Sequence, residues 1–151
     1  MIKLKLMNSD EFKEYITIVI ENYAKEKALA GNWNEEESLT KSREEVAALL
    51  PKDEKSENNY LYSILHGKET IGMIWLAQKS TGEGFIYDIR IMEIYQGQGY
   101  GKKTMKQLEI EAKKLGMKKI GLHVFGHNKV ARALYEKLGY LTTNVVMSKE
   151  I

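Results

Sequence analysis

Cysteine is absent from this chain, and proline occurs once, at Pro51. Without a thiol there is no cysteine nucleophile, no thiolate metal site and no disulfide framework, and a reducing, cytoplasmic setting is expected. Long apolar runs are missing too. No stretch approaches transmembrane length, and the opening Met1-Ile2-Lys3-Leu4-Lys5 lacks the apolar core and small-residue cleavage site of a secretory leader. Neither sign of charge is in excess: 23 basic residues against 21 acidic give a formal net charge of +2. That balance is too even for phosphate-backbone binding to be the main activity, so neither nucleic acid nor membrane is expected as a partner. Lysines do gather at Lys102, Lys103 and Lys106, and again at Lys113, Lys114, Lys118 and Lys119. They read as a solvated helix face.

What is present is an ordinary globular composition: 151 residues, 43% hydrophobic and 29% charged. A single domain over residues 1–151 is expected. Folding at this size removes roughly two-thirds of the unfolded surface from water, so no metal or disulfide staple is required. From Phe12 the apolar positions Phe12, Tyr15, Ile16, Val19, Ile20 and Tyr23 follow helical spacing. Asn8 with Glu11 resembles a capping box ahead of them, and Gly31-Asn32 is a natural stop. A second helix is expected after Asn34, with Leu39, Val46 and Leu50 along one side and Pro51 at its end. The polar stretch 52–59 reads as a surface loop.

Beyond that loop the pattern turns to strands at 60–65, 70–77 and 85–92, separated by short polar turns, which predicts an antiparallel meander. Met105, Leu108, Ala112 and Leu115 restore the helical period until Gly116, and Ile120, Leu122 and Val124 alternate as a buried strand. Strand, helix, strand implies a parallel crossover. Asn128 opens a short helix with Ala131, Leu134, Tyr135 and Leu138 inward and Gly139 at its end, and 140–148 is expected to supply one or two final strands. The fold class is α/β: a mixed sheet with helices on both faces.

Gln96-Gly97-Gln98-Gly99-Tyr100-Gly101 lies between a predicted strand and a predicted helix. Glycines permit a tight turn and close approach to a ligand, while the free N–H groups and positive dipole end of a helix attract an anion such as a pyrophosphate. A plain strand-to-helix turn would have the same composition. A dinucleotide fingerprint starting at Gly97 would need glycine where Lys102 stands, and a P-loop ending at Gly101 would need Ser or Thr where Lys103 stands. Both fail.

The pattern Gln/Arg-x-x-Gly-x-Gly/Ala is met by Gln96, Gly99 and Gly101, and a second signature follows in Asn128–Tyr140, reading NKVARALYEKLGY. On these two motifs and their spacing the chain resembles the GNAT superfamily of N-acetyltransferases, and in particular small Bacillus-type members. The likeness is close over 60–140; Glu93 departs from the proline common there. The resemblance implies a single-domain acyl-CoA N-acyltransferase fold, mostly antiparallel with a splayed parallel strand pair, and acetyl-CoA as co-substrate without a metal. It implies transfer of acetyl to a primary amine of a small molecule or peptide by direct attack. Family members often dimerise, so a homodimer is compatible with it.

The resemblance also implies residue roles. Ile89, Arg90 and Ile91 would offer backbone groups to pantetheine, and the loop Gln96, Gly97, Gln98, Gly99, Tyr100, Gly101 and Lys102 would hold the pyrophosphate. Asn128 would bond the cofactor arm while also serving as an N-cap. Tyr135 would donate a proton to the departing sulfur, although an inward aromatic of an amphipathic helix would look the same; the Ile91 N–H would serve the carbonyl oxygen. Asp88 would act as base or touch the acceptor amine, unless a bulge in its strand turns it elsewhere. Tyr23, Glu26 and Trp33 would wall the acceptor pocket, and His66, His123 and His127 are read as structural. A non-catalytic acyl-CoA-binding module is the alternative, and Tyr135 argues against it. A basic interaction protein built on the lysine-rich helix ranks last.

Overall fold

The computed structural model describes every residue from Met1 to Ile151. Its elements follow from the patterns above, with one addition at the start. Ile2, Leu4 and Leu6 alternate with lysines and form β1 (Ile2–Leu6), which no expectation covered. So short an alternation is hard to separate from the helix behind it. In α1 (Ser9–Leu29) the capping box is complete: the Asn8 side chain accepts from the Glu11 N–H at 2.8 Å, and Glu11 accepts from the Asn8 N–H at 3.0 Å. The helix buries Phe12, Tyr15, Val19 and Ala24.

The second helix, α2 (Glu35–Leu49), is capped by Asn34 as expected, and Val46 and Leu50 are buried as expected, but Leu39 is not. Ser38, Ser42 and Val46 face inward, while Leu39 is 42% exposed. The reason is close helix contact: Ser42 Oγ donates to the Ile20 carbonyl at 2.7 Å, and small hydroxyl side chains let α2 lie against α1 where leucine would hold it off.

β2 (Asn59–His66), β3 (Glu69–Gln78) and β4 (Gly84–Ile91) form the antiparallel meander, and β1 pairs with β2 outside it. After α3 (Tyr100–Lys114), β5 (Ile120–Leu122) pairs parallel to β4, and α4 (Lys129–Lys137) follows. The five strands run in the order β1-β2-β3-β4-β5. Two cores cover the sheet's faces. Ile64, Ile74, Leu76 and Ile86 pack with Met105, Leu108 and Ala112 of α3; Leu61, Met73 and Trp75 pack with Phe12, Tyr15 and Val19 of α1 and Val46 of α2. This is the expected α/β sheet with helices on both faces.

Two expectations are corrected at the end of the chain. β5 stops at Leu122, short of Val124, and all three of its residues are only half-buried. No strand forms over 140–148, where the chain runs exposed and irregular. That segment has no partner strand within this chain.

One glycine is fixed by space rather than by turn geometry. A Cβ on Gly72 of β3 would sit 2.1 Å from the Arg90 carbonyl oxygen and 3.1 Å from Ile64 Cδ1. The clash is with backbone, so the two strands would have to separate. Gly72→Ala should destabilise the fold by about 2–3 kcal/mol, lowering the melting temperature by roughly 5–10 °C. A melting curve within a degree of the wild type would show that β3 and β4 can part there without cost.

Candidate active site

The site begins at an irregularity in β4. Trp75 pairs with Asp88 but its neighbour Leu76 pairs with Ile86, so Tyr87 is an extra residue in the ladder, a β-bulge. Before it, Gly84 and Ile86 face the α3 side; after it, Ile89 and Ile91 do so. The bulge thus sends Tyr87 and Asp88 in succession to the α1 side, where the Tyr87 ring lies 4.7 Å from Trp75. Pairing between β4 and β5 ends at the same place, with Ile86 and Leu122 as the last partners. From Tyr87 onward β4 continues alone on that side. Met92 donates to the Ile71 carbonyl at 2.8 Å, so by antiparallel alternation Arg90 and Asp88 turn their N–H groups toward β3, and Ile89 and Ile91 turn theirs toward the gap.

Beyond β4 the chain makes one tight turn at Glu93–Tyr95 and enters the glycine loop. Gly97 and Gly99 have φ of 77° and 83°, a conformation that disfavours any side chain, and Gly99 occupies the N-cap position of α3. The Gln96 side chain braces the loop by donating to the Ile91 carbonyl at 2.8 Å, and Gln98 donates to Ile94 at 3.3 Å. The first backbone bond of α3 runs from Lys103 to Gly99, and no N–H from Gly97 to Lys102 has a backbone partner. The first turn of α3 carries no acidic residue and no side-chain cap. These unpaired donors, the helix dipole and the exposed Lys102 leave the loop electropositive. Gly101 is also limited by space: a Cβ there would press on Leu134 of α4 at 3.2 Å.

Asp88 is held from two sides. Its Oδ2 accepts a hydrogen bond from Tyr15 at 2.7 Å, and its Oδ1 lies 3.6 Å from Arg90 Nη2. With its amide oriented by these surroundings, Asn22 accepts from both terminal nitrogens of Arg90, 2.8 Å from Nη2. Burial raises the Asp88 pKa, while Arg90 and the Tyr15 hydroxyl act against that rise. Asp88 also acts on Tyr135 of α4. That phenol is pushed up to about 12, first by burial and then by the Asp88 charge, and no protein acceptor engages its hydroxyl. Tyr135 packs on the α3-side core with Tyr140, ring centroids 6.0 Å apart. Asn128 caps α4, accepting from the Ala131 N–H at 3.2 Å, so its N-cap role is met by the fold itself.

The acetyltransferase (GNAT) family model matches residues 21–140, which takes in the splay, the loop and both signatures. The chain belongs to the GNAT acetyltransferase family. It is therefore an acetyl-CoA-dependent acetyltransferase. The chain is 38% identical to the uncharacterized N-acetyltransferase YycN of Bacillus subtilis, over 99% of each, and 33% identical to YdgE of the same organism, over 98% of this chain and 97% of that one. A crystal structure of YycN superposes with a TM-score of 0.96, covering 100% of this chain and 99% of the other. A Thermoplasma acidophilum N-acetyltransferase solved with coenzyme A shares the fold at a TM-score of 0.70 and 18% identity, covering 97% of this chain and 93% of that one. No helix is long and apolar enough to cross a membrane, and no cluster of His, Cys, Asp and Glu could hold a metal.

On the α1 side this GNAT domain carries a second cluster. Tyr23 and Trp33 meet edge to face at 5.5 Å, with the Lys27 ammonium 5.6 and 5.4 Å from their ring centroids. Across from them Phe125 stacks on His127 at 5.6 Å, and His127 Nε2 lies 2.6 Å from Glu26 Oε2. Sequence reading placed Tyr23, Glu26 and Trp33 together but gave His127 no partner; a contact over so long a sequence separation leaves no local signal. Tyr15 and Asn22 went unrecognised for a similar reason, since each lies in an ordinary helical pattern.

The Tyr15 hydroxyl stabilises the charged form of Asp88, so Tyr15→Phe should raise the carboxyl pKa further and destabilise the fold by about 1–2 kcal/mol at neutral pH. A raised carboxyl pKa leaves stability intact at low pH and removes it as pH rises through the folded-state pKa. The deficit should therefore shrink as pH falls toward and below the ordinary 3.8. Carbon-13 NMR titration of the Asp88 carboxyl, with denaturation at two pH values, measures both; an unshifted titration would show that the hydroxyl leaves the carboxylate unaffected.

Proposed function

We propose that this enzyme transfers the acetyl group of acetyl-CoA to a primary amine of a small-molecule or peptide acceptor by direct attack. The observation that carries this reading is the run of unpaired N–H groups from Gly97 to Lys102, set beside a sheet that opens just ahead of it. Pyrophosphate oxygens would take the loop's N–H groups, with Lys102 adding charge. The pantetheine arm would enter between β4 and β5, against the free N–H groups of Ile89 and Ile91, with the Asn128 side chain beside it. Bound acetyl-CoA supplies an acetyl thioester open to attack by an amine, with a thiolate as leaving group.

The chain's own residues supply the rest. The Ile91 N–H faces the gap as a fixed donor for developing negative charge on an acyl oxygen. Tyr135 holds its proton at any ordinary pH, its pKa raised to about 12, so its hydroxyl stands as a hydrogen-bond donor to the negative charge that develops on the departing sulfur. Asp88 is the acceptor-side carboxylate: burial raises its pKa, which strengthens it as a base for the amine's proton. Tyr23, Trp33 and Glu26 shape the side from which the amine arrives.

Two variants at one position test the loop. Gly99 has φ of 83°, which both Asn and Asp tolerate better than other side chains. Gly99→Asn adds bulk alone, and Gly99→Asp adds bulk and negative charge. Acetyl-CoA affinity by calorimetry should fall modestly in the first and by at least about a hundredfold more in the second. Equal affinities would move the phosphates elsewhere.

Tyr135→Phe keeps the ring and removes the proton donor. With an acceptor identified by thiol release across an amine panel, single-turnover transfer should slow by roughly a hundredfold, the lower end for general acid catalysis because a thiol leaves readily. Acetyl-CoA affinity and the melting curve should be unchanged. Wild-type single-turnover rates would return Tyr135 to a packing role.

A further inference from the structure

β4 and β5 part after Ile86 and Leu122, so Tyr87 and His123 are the first residues on either side of the gap's mouth. The last turns of α1 reach both. Tyr87 lies close enough to Tyr23, and Lys27 to His123, for the charge of the first to bear on the titration of the second. Beside Lys27, Glu26 Oε2 meets His127 Nε2 at 2.6 Å, on the segment that His123 begins. Tyr23, Glu26 and Lys27 share one face of the helix, being three and four residues apart.

On that face stands an amine with no charge partner. Lys27 is half-buried, yet it forms no ion pair: Glu26 is turned to His127, and Asp88 is held by Tyr15 and Arg90. Its ammonium rests against the Tyr23 and Trp33 rings, 5.6 and 5.4 Å from their centroids, near the outer limit of such contacts. The backbone beneath it is fixed, because the Asn32 and Trp33 N–H groups both donate to the Lys27 carbonyl, at 2.9 and 3.4 Å. A fixed base and a flexible four-carbon arm set a primary amine at the mouth of the gap.

We propose that Lys27 is itself an acceptor, and that without a better amine the enzyme acetylates its own Lys27 side chain. This rests on the acetyl transfer proposed above. The ammonium first gives up a proton, and the His123 imidazole beside it can take it: burial, and then the Lys27 charge, lower its pKa and keep it neutral. Once Lys27 is neutral, its charge no longer opposes protonation of His123. The free amine attacks the thioester carbonyl carbon; the C–N bond forms, the C–S bond breaks, and coenzyme A leaves as thiolate. The thiolate takes the proton lost by the new amide nitrogen, so the products are acetyl-lysine, the coenzyme A thiol and the one proton passed to His123. Acetylation would strip the charge from this face and leave a neutral amide against the rings.

Incubated with acetyl-CoA alone, digested and read by mass spectrometry, the wild-type protein should carry acetyl at Lys27 at least about tenfold sooner than at any exposed lysine, because only Lys27 has the proximity. The rate should level off as acetyl-CoA rises and should not depend on protein concentration. Lys27→Arg keeps a cation against the rings; it should still bind acetyl-CoA by calorimetry but lose the fast acetylation. Acetylation of Lys27 no faster than that of exposed lysines, a rate that never levels off, or one that grows with protein concentration would each overturn self-acetylation. Thiol release across an amine panel, run in parallel, separates this from the reaction it rests on. Release to an added amine with Lys27 unmodified would remove Lys27 alone, whereas no release and no acetyl-lysine would remove both.

Discussion

The site depends on one extra residue. With Tyr87 inserted opposite the step from Trp75 to Leu76, the phase of β4 reverses in mid-strand. Both consequences are needed at once. Asp88 and Arg90 turn their side chains to the α1 side, and Ile89 and Ile91 turn their N–H groups to the side where β5 has left off. A regular strand would give β4 one phase along its whole length, and its second half would point Asp88 into the core packed on α3. The bulge also adds local twist, which agrees with the parallel pairing ending at Ile86 and Leu122. The gap and the groups lining it therefore have a common origin.

Burying Asp88 beside Arg90 brings an electrostatic cost that the α1 side offsets. Tyr15 is itself 1% exposed, and its hydroxyl is satisfied only by Asp88; the two buried groups meet each other's needs. Arg90 finds Asn22 as well as Asp88, though its Nε has no partner. The network is anchored in α1, on the opposite side of the sheet from α3 and the glycine loop. It fixes the orientation of β4 without occupying the gap, and the Asp88 field still reaches Tyr135.

How much of this was legible in the sequence follows from the range of each interaction. Helix caps are local: Asn8 with Glu11 and Asn34 with Glu37 were readable because both partners lie within one turn. The glycine loop was readable because its conformation demands glycine where φ is positive, at Gly97 and Gly99. Ser42 was not, since its inward position depends on the Ile20 carbonyl of another helix, and hydropathy alone preferred Leu39. One or two final strands were expected over 140–148, but pairing is a property of two strands, and no strand of this chain pairs with that segment. The Tyr15–Asp88–Arg90–Asn22 network left no trace in either period, because each member sits where a packing residue would also sit.

The same distinction separates the two halves of the reaction. On the proposed reading the loop side would recognise through backbone N–H groups, which every sequence possesses, so the demand would fall on the few positions where a glycine is obligatory and the signature becomes short and portable. The α1 side is assembled from side chains of α1, the turn at Trp33, the bulge at Tyr87 and the segment ending at His127. There Lys27 lies over two aromatic rings, and Glu26 meets His127. On the proposed reading an acceptor would be selected by that combination and not by any one residue, which would leave its preference distributed over four separate segments of the fold while the family shows openly in two motifs.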